Sequence, residues 1–273
     1  MFQATQNRPS HLILNTLELI YHSIVRDVRK GHKNAVIGML MNMVQTVIMV
    51  LAFYAMFWIM PGARRGGIPG DFIIYLMTGI FLFMAHTKAV GAVVKSEGPG
   101  SSMMQHAPLN AVVTISASAL GSLYNQILSI SAVLLLYHLL INPVVIDQPI
   151  GTFGMFLASW FSGVGVGCIF LAVKPWFPEL TTIGASVYSR VNMVASGKMF
   201  VANSLPPSLL MMFDWNPLFH TIDQCRGFVF RNYSPHFSSL TYPIWVGMGL
   251  LVIGMMAQFY TRKTASISWS AGR

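Results

Sequence analysis

From Ala35 to Met60 the chain runs for 26 residues without a charged side chain, and Arg26, Arg29, Lys30 and Lys33 stand directly before that run. A helix of about 20 apolar residues crosses the hydrocarbon core of a bilayer, so this run is long enough to span. Basic residues beside a first span are retained on the cytoplasmic side, and the chain is therefore expected to start inside. Composition makes the same argument for the whole molecule. Hydrophobic residues make up 54% and charged residues 9% of the chain, against about 25% charged in soluble proteins. The reading is an integral membrane protein. A formal charge of +9 would suit nucleic acid, but the Lys and Arg residues gather at span boundaries rather than along one polar face, which excludes that partner. Cys168 and Cys225 have neither disulfide-framework nor metal-ligand spacing. The first thirty residues lack a short apolar core followed by a small-residue cleavage site, so no removable signal peptide is expected.

Hydrophobic periodicity and turn residues predict an all-α membrane protein, a single transmembrane domain over 1–273. Its parts are an N-terminal amphipathic interfacial helix at 12–33, spans at 35–60, 72–94, 111–141, 150–173, 180–201 and 242–260, and a broken re-entrant segment at 205–230. In the first helix Ile13, Leu14, Leu17, Ile20, Tyr21, Ile24 and Val28 recur at helical spacing opposite Glu18, His22, Arg26 and Arg29. A basic amphipathic helix next to a span lies along the interface. Lys95 to Leu109 is polar and small, and is expected as a cytoplasmic loop because unpaired backbone groups are costly in lipid. Gly163, Gly165 and Gly167 in the fourth span are expected to let helix backbones approach closely. In the re-entrant segment Asn216 suits an N-cap and Pro217 the first helical position. Leu218, Ile222, Cys225 and Val229 then form one stripe, with Asp223 and Arg226 on another face. With six crossings both termini are cytoplasmic, and ten Lys and Arg residues fall inside against five outside.

Three cations need individual treatment. Lys88 lies about two turns from the cytoplasmic end of the second span and is expected to snorkel there. Lys198 is expected to snorkel outward. Arg190 lies roughly 15 Å along a helix from Leu180, near mid-membrane. A charge at that depth faces protein or water, so Arg190 either lines a hydrated pathway or pairs within the bundle.

Catalytic motifs are missing. No G-x-x-x-x-G-K-[ST] loop, H-E-x-x-H helix or G-x-S-x-G elbow occurs, so ATP binding in the Walker manner, zinc hydrolysis and nucleophile-elbow chemistry are excluded. His86, His106, His138, His220 and His236 are scattered over different elements, giving no metal site. None of the eight acidic residues sits inside a span, which removes the members of a carboxylate proton relay. The spans do not divide into two similar halves.

Three stretches resemble one family. IVRDVRKGHKNAVIG, Ile24 to Gly38, is similar to the Arg-Asp-x-Arg approach to the first span of type-2 ABC exporter permeases. FPEL at Phe177 to Leu180, then SRVNMVASGKMFVANSL to Leu205 with Pro206 after it, resembles a pattern of the subfamily exporting capsular polysaccharide and O-antigen. There a Phe-Pro-Asp/Glu turn is followed by Arg, a Ser-Gly run and a Leu-Pro break. WNPLFHTIDQCR, Trp215 to Arg226, resembles that subfamily's Trp-Asn-Pro-Leu-x-His motif ending in Arg. Lys198 replaces a residue that is more often apolar, and the loop at Gly98 to Ser102 is unusually polar for the family.

The resemblance implies a transport subunit rather than an enzyme, in a bacterial inner membrane. It implies a homodimer in which each copy binds a separate ABC ATPase subunit that carries ATP and Mg, with no cofactor in this chain. Lipid-linked polysaccharide, capsular or exopolysaccharide before O-antigen, is the implied cargo, and periplasmic and outer-membrane export proteins are compatible partners. The ATPase-coupling residues would be Arg26, Asp27, Arg29, Ser96, Glu97 and Gln105. Arg190 would lie on the pathway, and Trp215, Asn216, Pro217, His220, Asp223 and Arg226 would build the outer gate. Two other readings share the membrane character. One is an ABC permease for a lipid or drug; the other is a membrane-embedded glycosyl- or acyltransferase, which calls for a clustered carboxylate or histidine site.

Overall fold

A computed structural model of the chain describes residues 18–25, 35–59, 68, 70–96 and 111–270. The described residues are helical, with no strand among them. We number the helices α1 (Ala35–Ile59), α2 (Phe72–Lys95), α3 (Ala111–Leu140), α4 (Pro149–Val173), α5 (Pro178–Ala195), α6 (Pro207–Phe213), α7 (Pro217–Val229) and α8 (Tyr242–Ser270). A single 3₁₀ turn at Ala202–Ser204 separates α5 from α6. Residues 18–25 form a further helical stretch with Tyr21 63% exposed; the rest of the expected interfacial helix at 12–33 lies outside the described residues.

Helix starts follow from local chemistry. The Asp71 side chain accepts from the Ile73 amide and caps α2. Proline occupies the first turn of α4, α5, α6 and α7, where its missing N–H costs no intrahelical bond. Five helices, α1, α2, α3, α4 and α8, are long and apolar enough to cross a membrane. α5 falls short of that apolarity, so the fifth expected span, 180–201, rests on a more polar helix than the other five. It is also shorter than the expected 180–201. Gly197 adopts φ +74°, the left-handed conformation that closes a helix end, and α5 stops at Ala195.

α2 is the centre. Of its apolar stretch 83% is buried, against 22% for α1 and for α8. α1, α3, α4, α5 and α7 all pack on it. α4 is clamped between α2 and α8, and glycine makes both contacts possible. A Cβ on Gly163 would stand 2.5 Å from the His86 carbonyl oxygen of α2, and one on Gly165 would stand 2.8 Å from the Gly247 carbonyl oxygen of α8. The close approach expected for this glycine series is what the helices make, and in lipid it is packing of this kind that holds helices together.

Two ends of the bundle serve as reference points. At the Phe72 end, the amides of Asp147 and Gln148, just before α4, donate to the carbonyls of Val229 and Phe228 at the close of α7. At the Lys95 end, Lys174 Nζ donates to the Val94 carbonyl at 2.7 Å. α8 runs parallel to α4, since Gly247 faces Phe161 and Gly165, Gly254 faces Cys168, and Thr261 donates to the Ala172 carbonyl.

Candidate functional site

The chain between α5 and α8 enters the bundle, turns, and leaves by the same end. After α5 closes, the backbone of Lys198 packs on Gly79 of α2, where a Cβ would come within 2.9 Å of the Lys198 Cα. Gly79 is seven residues into α2, about 10 Å below its Phe72 end. Asn203 returns to that end, donating to the Ser234 carbonyl at 2.8 Å. α6 then leads inward to Asn216, whose side-chain amide donates to Asn192 Oδ1 at 2.8 Å and to the Ala195 carbonyl at 3.1 Å, both in the last turn of α5. α7 rises from there back to the Phe72 end. The broken helical pair expected at 205–230 is therefore a helix, a turn and a helix within 207–229, with its second helix in the core.

The cap expected at Asn216 forms, its Oδ1 accepting from the Leu218 amide at 3.0 Å with Pro217 at the first helical position. Leu218, Ile222, Cys225 and Val229 are buried as one stripe. The polar residues of α7 are buried too, and each has its own partners. Arg226, 1% exposed, donates to the carbonyls of Gly197, Phe200 and Lys198 at 2.9, 2.6 and 2.8 Å. Its guanidinium also lies 4.1 Å from the centre of the Tyr75 ring. Those carbonyls belong to the non-helical link after α5, and non-helical backbone at membrane depth persists only where protein or water satisfies it. Arg226 does so, with a planar fork of donors suited to several acceptors. Asp223 accepts from Tyr233 Oη at 2.5 Å and Ser238 Oγ at 2.7 Å. Burial, with the Asp223 charge beside it, pushes the Tyr233 phenol up, so Tyr233 stays a donor. His220 Nε2–H donates to the Asp214 carbonyl at 2.6 Å while Nδ1 accepts from the Ser239 amide at 3.0 Å. The segment from Tyr233 to Ser239 is thereby stitched along α7. Trp215 differs from these, 60% exposed at the turn, its indole donating to the Met212 carbonyl and its own carbonyl accepting from Tyr242 Oη.

Lys198 does not snorkel outward. Gly197 turns the chain so that Lys198 points between α1 and α2, 1% exposed. Its Nζ lies 3.7 Å from the Phe83 ring centre and 4.6 Å from that of Phe53, with no hydrogen-bond acceptor among the described residues. Lys88 is held by protein: its Nζ donates to Asn42 Oδ1 on α1 at 2.6 Å.

Arg190 is exposed on α5, in line with Thr182 and Ser186 at four-residue spacing. Beside this polar row runs an apolar one, with Leu180, Ile183, Val187, Val191 and Val194 each more than half exposed. What holds α5 to the bundle is largely polar. His86, fully buried, donates from Nδ1 to the Ser159 carbonyl at 3.1 Å, and its Nε2 accepts from Tyr188 Oη at 2.8 Å. With the Asn192 to Asn216 contact, these bonds fix one face of α5 and leave the other open.

Of the residues expected at an ATPase contact, Arg26, Asp27, Arg29, Glu97 and Gln105 lie outside the described residues. Ser96 is 5% exposed and its hydroxyl donates to the Val93 carbonyl at 2.6 Å, ending α2. Among the described residues no group of three or more His, Cys, Asp or Glu side chains is placed to hold a metal ion. Sequence reasoning missed Tyr75, Asn192, Tyr233 and Ser238, and did not pair His86 with Tyr188. Asn192 carries a usable signal as an amide inside an apolar stretch; Tyr75 carries none beyond that of any span aromatic. The chain matches no protein-family model and no curated protein.

Proposed function

We propose that the chain is the permease subunit of an ATP-driven exporter that moves lipid-linked polysaccharide, capsular or exopolysaccharide, from the cytoplasm across a bacterial inner membrane. The observation that carries the reading beyond the sequence resemblance is the open face of α5. A helix bearing Thr182, Ser186 and Arg190 on its exposed side, less apolar than its five neighbours, is poorly matched to bare lipid. It suits a position between two copies of the chain, the apolar row against protein and the polar row on a hydrated path. Arg190 then offers a cation to acidic sugars or to the phosphate of a lipid carrier. The re-entrant pair, which opens toward the Phe72 end, closes that path as an outer gate. Energy comes from a separate ATPase subunit, because this chain carries no phosphate-binding loop. Closure of the ATPase pair rocks the spans against one another as rigid bodies.

The test is where polymer resides in cells lacking this chain. Export predicts loss of surface polysaccharide with lipid-linked polymer retained in the cytoplasm, reversed by the intact gene. Normal surface polymer would move the assignment to a lipid or drug permease. Loss of both surface and internal polymer would move it to a biosynthetic transferase.

A further inference from the structure

At the Phe72 end α3 and α4 scarcely touch, and the space between them is a cleft of about 230 Å³, floored by α2 and walled at the back by α7. We infer that this cleft is an intramembrane lipid site that takes the acyl chain of a phospholipid from the adjoining leaflet. Its depth is set by α2, whose lining residues Ile74 to Leu82 fall in the first half of the helix. Its chemistry is hydrocarbon. Of the residues around it only Thr78, Ser131 and Thr152 carry hydroxyls. Thr78 and Thr152 donate theirs to carbonyls of their own helices, Tyr75 at 2.7 Å and Gln148 at 2.9 Å. A water needs two to four polar partners, and an apolar cavity of about 150 Å³ stays dry and takes a hydrocarbon guest. A sugar would leave its hydroxyls unpaired here. The mouth, exposed at Ser131 on α3 and Phe153 on α4 and half-buried at Thr152, is continuous with Leu135, Leu139 and Ile150 on the outside of two membrane-crossing helices. The neighbour that such a surface meets is lipid. At the inner end the chain would lie on Cys225 and Val229, so the guest supports the re-entrant helix directly. This inference needs only the membrane-embedded bundle and holds whatever cargo the chain moves.

The experiment uses the full chain in bilayers containing a phosphatidylcholine with a diazirine near the end of one acyl chain, irradiated and mapped by peptide mass spectrometry. Leu82 borders the same space and is 3% exposed, and Cys225 is fully buried, so a lipid outside the bundle does not reach either. Adducts on Leu82 and Cys225 are expected, with loss of that labelling in Ile130→Trp and its retention in Leu139→Trp. If Ile130→Trp does not fold, Thr152→Trp at the mouth is expected to give the same loss. Adducts confined to outward residues such as Leu135 and Leu139 would overturn the site. So would efficient disulfide formation between two copies through Ser131→Cys, which would put protein over the mouth.

Discussion

Arg226 and Lys198 sit side by side in the fold and face opposite energetic situations. Arg226 has three carbonyl acceptors and an aromatic face, whereas the Lys198 ammonium has two rings and, among the described residues, no acceptor. Leaving buried acceptors unsatisfied costs about 1–3 kcal/mol each. Arg226→Ala should therefore destabilise the protein by at least that amount in detergent unfolding, and Arg226→Lys should recover only part of it, since one ammonium cannot reach three carbonyls. A loss below about 1 kcal/mol would place the support of the link elsewhere. For Lys198 the sign reverses. Cation–π attraction is worth about 2 kcal/mol when desolvated, against a burial cost of several kcal/mol for an ammonium. Lys198→Met is expected to raise the unfolding temperature, and a fall would show that the ammonium has a partner in the membrane. Of these residues, the Asn216 cap and the α7 stripe were legible in the sequence because they depend on neighbours within four positions. The partners of Arg226 were not, because they lie on a link more than twenty residues away.

At the scale of elements, the five apolar helices were readable because length and hydropathy alone decide whether a segment crosses a bilayer. α5 was misjudged at its end. Hydrophobic residues continue through Met199 to Val201, but Gly197 at φ +74° stops the helix before them, and a local backbone conformation of that kind leaves no trace in hydropathy. The outcome is a helix with one face bonded to the bundle through Tyr188 and Asn192 and the other open. If that face borders water in the assembly, Ser186→Cys should react with a membrane-impermeant thiol reagent much faster than Leu135→Cys on α3. The native Cys168 and Cys225 are buried and contribute little background. Equal, slow reaction at both positions would mean that α5 is sealed. In the dimeric arrangement Val191→Cys should also form disulfides between copies, read as a doubled mass on non-reducing gels.

The whole molecule has a rigid part and a part built to be held. α2, α4 and α8 pack through glycines at backbone distance and α7 is buried against them by its apolar stripe, while α5 is joined to this core largely by the hydrogen bonds of Tyr188 and Asn192. If the chain is the proposed exporter permease, α5 is the part that moves, since hydrogen bonds exchange partners more readily than interlocked backbones slide. The His86 to Tyr188 bond is the joint between the two. Tyr188→Phe leaves the ring packing and removes only the donor, so the protein should fold with a loss of about 1–3 kcal/mol and, under the proposed function, transport at an altered rate; unchanged transport would remove the joint from the mechanism. The proposed transport is most directly read in inside-out membrane vesicles that hold this chain, a partner ABC ATPase subunit and lipid-linked polymer. After ATP is added, the fraction of polymer protected from an added polysaccharide-degrading enzyme is measured. The account predicts protection that requires ATP and is lost in vesicles lacking this chain. Protection that appears equally without the chain, or ATP hydrolysis with no polymer protected, would contradict it.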